Sequence, residues 1–292
     1  MGSASQVVFA ISAEHSGSTW VGYVLGSSKK SAFLGEYYRL WHDGLRVPCT
    51  LCAGRELESC VALHDAQTQP PEAAYAFASR RLEGKLLVDT SKDLGWVGQF
   101  VKDPATQASL VIVVRDPRGW IASVRRRRQN ALAEFIDYWV KKHNELMDFA
   151  ERSNVSSLVV CYDLLASSPQ RYFKQLFSFC GLEFEPASLA YWNYDHHAIA
   201  ANGASDALIK RASLKAPAHF HPGDKQYYAQ HSQTNFHDQR WKETLPLSEQ
   251  MAIEGDPAVL SVLARMELRL TAEGIEPSGS PSSLGSIRSV SS

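Results

Sequence analysis

Four short apolar runs, Val7–Ile11, Leu86–Val88, Leu110–Val114 and Leu158–Cys161, recur along the chain with helical patterns between them. Three are rich in Val or Ile. Strands buried on both faces of a parallel sheet read as continuous apolar runs of this kind, without alternation. Ala32–Gly35 is a candidate fifth strand. The helical patterns fall at Thr19–Gly26, Ala73–Arg81, Pro117–Arg127, Ala133–Arg152 and Pro169–Phe179. Strand and helix in alternation predict an α/β fold of three layers, a mainly parallel sheet with helices on both faces. No linker rich in Gly, Ser or Pro interrupts the first 270 residues, so one domain is expected over residues 1–276. Phe184–Trp241 has no clear period and holds many aromatics and six of the 10 histidines. It reads as an irregular C-terminal lobe packed over the sheet. Residues 277–292, mostly Ser, Gly and Pro, read as a disordered tail.

Charge narrows the function. Thirty basic residues against 31 acidic ones leave a formal charge of -1. That balance argues against nucleic-acid or membrane binding driven by net charge, while a local basic site stays open. No apolar run reaches the ~18 residues of a membrane span. The N-terminus does not lead from a basic region into an apolar stretch, so the expected location is the cytoplasm.

Two turns carry chemistry. After Val7–Ile11 comes Ser12-Ala-Glu-His-Ser-Gly-Ser-Thr19-Trp20, then a helical pattern. A strand that turns through small residues into a helix start makes an anion site, because free N–H groups and the helix dipole both face outward. Gly17 allows close backbone approach, and Ser16, Ser18 and Thr19 add hydroxyl donors. The loop is neither a Walker A sequence nor a dinucleotide fingerprint, and an ordinary Ser/Thr helix cap is the plain alternative. The second turn, Arg115-Asp-Pro-Arg-Gly-Trp-Ile-Ala-Ser123, follows Leu110–Val114 directly. Asp116 suits an N-cap and Pro117 the first helical position. Arg115 therefore lies at the carboxyl end of a strand, where α/β sheets bind ligands, with a fork suited to phosphate.

These residues resemble the PAPS-dependent sulfotransferase family (PAPS is 3′-phosphoadenosine-5′-phosphosulfate). His15–Trp20 is similar to the loop that cradles the 5′-phosphosulfate. Arg115 with Ser123 eight residues later is similar to the 3′-phosphate signature. Cys161-Tyr-Asp-Leu-Leu through Leu182 and Gln239-Arg-Trp-Lys-Glu-Thr-Leu245 resemble two later family segments, in the correct order. The resemblance implies a P-loop nucleotide-kinase-like sheet and sulfuryl transfer from PAPS to a hydroxyl, less often an amine, of a small molecule or carbohydrate. It implies that His15, Ser16, Gly17, Ser18, Thr19, Trp20, Arg115, Ser123, Arg240 and Trp241 bind the donor, with Trp20 either stacking on adenine or packing in the core. It makes Glu36 the base, 21 residues after His15 as in tyrosylprotein-type members. Lys92 is placed near the transferred group. The cytosolic branch instead uses a His at the position of Leu94. The family has Lys or Arg where His15 stands, so His15 is expected to act as a cation or proton donor to the leaving oxygen. A small-molecule kinase and a non-catalytic nucleotide-binding protein are the rival readings; the first lacks its P-loop Lys here.

Cys49-x2-Cys52-x7-Cys60-x3-His64 has zinc-ligand residue types, but free thiols in an inserted segment are the simpler reading and no metal is assigned. Arg125–Arg128 reads as a solvated helix face that could add attraction for phosphate. Trp139 and Asn144 could line an acceptor pocket. His196–Gly203 resembles a late family segment with its last two residues inverted.

Overall fold

The computed structural model describes residues 4–42, 49, 60, 63, 65–201, 237–279 and 287–288. Its main sheet holds β1 (Ser5–Ser12), β2 (Ser31–Gly35), β3 (Leu86–Asp89), β4 (Thr106–Val114), β5 (Ser157–Cys161) and β8 (Ile287–Arg288), in the order β2-β3-β1-β4-β5-β8. The first five run parallel, and β8 pairs antiparallel with Ser157 and Leu158. All five sequence-read strands are present, each one residue or more longer than its apolar run. β1 is central, with Val7 opposite Leu87 on one side and Ala108 on the other. Every residue of β1 except Gln6 is buried, which is why the run carries no polar alternation.

Helices cover the sheet. One layer contains α1 (Ser18–Leu25), α7 (Tyr162–Ser167) and α8 (Pro169–Phe179); the other contains α4 (Leu94–Val101), α6 (Leu132–Ser153) and α11 (Pro257–Arg265). The short α2 (Arg39–His42), α3 (Ala74–Arg81) and α5 (Pro117–Arg125) complete the alternating part. α9 (Trp241–Thr244), α10 (Leu247–Glu254) and the hairpin β6 (Leu268–Thr271) and β7 (Gly274–Pro277) follow it. The sequence reading did not assign α4. Its residues LGWVGQFV hold two glycines and almost no polar face, so no 3.6-residue stripe is visible, yet Asp93 caps it by accepting a hydrogen bond from the Trp96 amide at 2.9 Å. The Ser/Gly/Pro-rich C-terminal stretch contributes Pro277 to β7 and the two residues of β8.

The lobe joins the sheet through backbone. Ile199 donates its N–H to the Leu34 carbonyl and accepts from the Glu36 N–H, both at 2.8 Å. It forms isolated bridges to Gly35 and to Cys49. Gly35 has φ +77, and a Cβ there would lie 2.1 Å from the Ile199 carbonyl oxygen, so only glycine permits this approach. Among the described residues, no helix is long and apolar enough to cross a membrane.

Candidate functional site

The loop between β1 and α1 is wound by two left-handed residues, His15 at φ 61 and Gly17 at φ 92. Gly17 is the N-cap of α1 and supplies no side-chain cap. A Cβ on Gly17 would lie 2.6 Å from Cδ2 of Tyr162. The Tyr162 ring is therefore the floor on which the loop rests. Ser16 is fully buried, and its hydroxyl has no hydrogen-bond partner. A buried hydroxyl without a partner is costly unless a ligand or water meets it.

Lys92 reaches this loop from the end of β3. Its ammonium donates to Ser18 Oγ at 2.6 Å and to the Thr90 carbonyl at 3.0 Å, and Ser18 Oγ also accepts from Ser12 Oγ at 3.1 Å. Burial lowers the Lys92 pKa, opposed by the charges of Glu36, Asp89 and Glu14. Asp89 is buried at the same strand end. It accepts from the Tyr75 hydroxyl at 2.7 Å and from the Ser91 amide. Burial pushes it up to about 6 despite those bonds, and the charge of Glu36 adds to the rise. Glu36 follows β2, pairs with Arg39 at 3.6 Å, and is held by its backbone to Ile199. The ends of β1, β2 and β3 thus gather Ser18, Glu36 and Lys92 into one electrostatic unit.

Arg115 reaches the loop from β4. Its Nη1 donates to the His15 carbonyl at 3.2 Å, and its guanidinium lies 4.9 Å from the centroid of the Tyr162 ring. Nη2 meets Asp238 Oδ2 at 3.0 Å, and Asp238 also accepts from Arg240 Nε at 2.8 Å. Burial alone would raise the Asp238 pKa, but Arg240 and Arg115 hold it well below the usual carboxylate range. Arg115 Nε is buried with no partner. It faces Gly119, where a Cβ would come within 3.2 Å of it. Ser123 follows Gly119 by four residues, on the same face of α5. Ser123 is buried beside Arg126, whose Nη2 donates to its hydroxyl at 3.4 Å. A buried guanidinium N–H without a partner thus lies against a side-chain-free turn of α5, one turn before the Ser123 hydroxyl.

The basic run at the end of α5 is solvated at Arg127 and Arg128 and half-buried at Arg125 and Arg126, and two of its members are ion-paired. Arg128 holds Glu14 at 3.0 Å and Arg125 holds Glu249 at 2.5 Å. Burial, followed by the charge of Arg127 and then those of Arg115 and Arg128, pushes the His15 imidazole down to about 4, although Glu14 opposes this. His15 is therefore neutral at pH 7 in the chain alone, and the positive field around the loop comes from the arginines and Lys92.

Several candidates meet the site only indirectly. Trp20 packs edge-on against Tyr162 and Phe173, with centroids 5.7 and 5.1 Å away. Trp241 is buried under the Arg118 guanidinium at 4.0 Å, and Arg118 is itself held by Asp116 and Glu254. Arg240 reaches Arg115 through Asp238. Trp139 is fully buried beside His143, and Asn144 accepts from Arg265 at 3.2 Å. His196 is buried against Tyr23 and its Nε2 lies 3.0 Å from the Tyr191 carbonyl. Asn202 and Gly203 lie outside the described residues, as do Cys52 and His64. Sequence reasoning missed Tyr162 and Asp238 as site residues. Tyr162 follows a strand end as Arg115 does, and that position was the available signal.

A profile described as the sulfotransferase family matches residues 7–186. No curated protein sequence matches the chain. Among solved structures, the chain is similar to the sulfotransferase domain from the Synechococcus PCC 7002 olefin synthase, with 20% identity and a TM-score of 0.51, over 79% of this chain and 95% of that one. It is also similar to the sulfotransferase domain from the curacin biosynthetic pathway, with 15% identity and a TM-score of 0.52, over 80% of this chain and 100% of that one. At these identities the likeness shows a shared fold.

Proposed function

The chain belongs to the sulfotransferase family, and from that premise we propose that it transfers a sulfuryl group from PAPS to a hydroxyl of a small-molecule or carbohydrate acceptor. One observation carries the reading: cations from two different strands, Lys92 and Arg115, converge on the single loop after β1, at 2.6 and 3.2 Å.

PAPS supplies a sulfuryl group on a phosphosulfate anhydride. The side chains of Ser16, Ser18 and Thr19 and the uncapped start of α1 bind the 5′ end, where the helix dipole adds attraction. Arg115 and the Ser123 hydroxyl bind the 3′-phosphate. Arg240 orients Arg115 through Asp238, and Trp241 packs the α5 side of that arrangement. Trp20 buttresses the Tyr162 floor. Lys92 holds positive charge at the loop, where negative charge develops on the leaving oxygen. A fixed cation in a dry site stabilises such charge more than water does. Glu36 accepts the acceptor's proton. His15 starts neutral and gains a proton as the phosphates offset the arginines around it. Positioning and charge stabilisation therefore do most of the work, as in phosphoryl transfer.

Calorimetry with 3′-phosphoadenosine-5′-phosphate, 5′-AMP and ATP tests the donor assignment, followed by transfer of radiolabelled sulfate to a panel of acceptors. The bisphosphate should bind at least ~10-fold more tightly than 5′-AMP, the worth of one charge-assisted contact of about 1.5–3 kcal/mol. Arg115→Ala should erase that preference. Equal affinity for ATP and the bisphosphate, with no transfer to any acceptor, refutes the reading.

A further inference from the structure

Away from the loop, three residues distant in sequence bring metal-ligand atoms together. Cys49 and Cys60 are buried, at 1% and 0% exposure. Their Sγ atoms lie 3.6 and 3.5 Å from the same atom, Nδ1 of His197. All three donor atoms lie within 4.8 Å of one another. Among the described residues, His197 is the imidazole that meets these thiols; His64, which follows Cys60 in sequence, lies outside them.

We propose that Cys49, Cys60 and His197 bind a zinc ion that acts as a structural staple. The distances match the chemistry. With Zn–S near ~2.3 Å and Zn–N near ~2.05 Å, a tetrahedral angle sets the S···N edge at about 3.6 Å. Both observed separations fall at that edge length. Two thiolates and one imidazole are a soft, borderline donor set that favours zinc over magnesium or calcium. A single ring nitrogen offers one in-plane lone pair or one proton, so two sulfurs converging on it suit a shared cation better than two hydrogen bonds. Binding releases the thiol protons and leaves the metal on two thiolates.

The backbone explains what the staple holds. His197 lies two residues before Ile199, which bridges both Gly35 and Cys49. The Ile199 carbonyl accepts the Glu36 amide at 2.8 Å. The metal therefore ties the segment around His197 to Cys49 and Cys60, while the Ile199 backbone joins that segment to the end of β2, next to the residue proposed as base. It takes no part in the transfer and stands independently of the donor assignment.

The test measures metal on the full chain, purified without chelator and with a thiol reductant. Mass spectrometric metal analysis should find about one zinc per chain, because a site that forms only in the folded chain ties metal binding to folding. Cobalt(II) added to zinc-stripped protein should give the near-ultraviolet thiolate charge-transfer band and strong visible bands of a tetrahedral site. Cys60→Ser and His197→Ala should each lose most of the bound metal and the cobalt spectrum. Folded wild-type protein with under about a tenth of an equivalent of zinc and no cobalt band overturns the proposal. So does an intact mass showing a Cys49–Cys60 disulfide, or metal retained in full by both variants. The wild-type cobalt spectrum decides the matter even if the variants fail to fold.

Discussion

Replacing Gly17 with alanine perturbs the loop in two separable ways. At φ +92, a side chain meets backbone strain of about 1–2 kcal/mol. The added Cβ would also lie 2.6 Å from Tyr162 Cδ2, where carbon contacts normally settle near ~3.5–4.0 Å. Relieving that overlap by shifting the ring or the loop costs about 1–3 kcal/mol. Together the two terms come to roughly 2–5 kcal/mol, or a melting temperature lower by about 5–15 °C for a chain of this size. Arg115 rests on the same ring, so displacing it should also weaken binding of 3′-phosphoadenosine-5′-phosphate. The assay is thermal denaturation of the two single variants and the double variant, with Tyr162→Ala supplying the second mutation. In the Tyr162→Ala background the overlap is gone, and Gly17→Ala should cost only the strain of about 1–2 kcal/mol. A Gly17→Ala protein that melts with the wild type refutes the reasoning. An equal cost in both backgrounds refutes the steric half of it.

Stability should fall on acidification from pH 6 toward pH 4. Burial lowers His15, His143 and His196 each to about 4, so the unfolded chain binds those protons first. Asp89, pushed up to about 6, works in the opposite sense over the same window. The net uptake on unfolding is about two protons, or roughly 2.7 kcal/mol per pH unit at its steepest; urea titrations at several pH values showing a flat profile contradict it. Lys92→Ala should lower kcat by ~10²–10³-fold with the fold intact. Glu36→Gln should lower it by ~10²–10⁴-fold. Either variant turning over at the wild-type rate in steady-state sulfate transfer removes that residue from the chemistry. Bisphosphate binding near pH 5.5 should take up a proton at His15, seen as a buffer-dependent heat in calorimetry. His15→Lys should retain much of the activity and His15→Ala lose most of it; buffer-independent heat excludes the proton uptake.

The sheet was legible because interior parallel strands must be apolar on both faces, and Val7–Ile11 and Leu110–Val114 admit little other reading. The α5 start was equally plain: Asp116 accepts from the Arg118 amide at 2.9 Å, with Pro117 behind it. α4 was hidden because glycine and apolar residues, rather than polar ones, occupy most of its outer side, which erases the helical stripe. Within the site, the loop and Arg115 showed in sequence because strand ends and turn residues mark them locally. Asp238 did not, because its role depends on a contact with Arg115 across more than a hundred residues. The state of His15 was equally hidden, since it follows from burial and then from arginines distant in sequence. His197 escaped for the same reason: pairing it with Cys60 spans 137 positions, while His64 offered a match nearer in sequence.

The bare backbone at position 35 has a consequence for changing what this protein acts upon. With no room for even a methyl group between Gly35 and Ile199, strand end and lobe meet along a seam that tolerates no variation in thickness. A lobe borrowed from a distant relative would have to reproduce the same three-residue path past that seam, whatever its pocket looks like. Any redesign of this region has to keep the bare backbone at Gly35 and the Ile199 path against it.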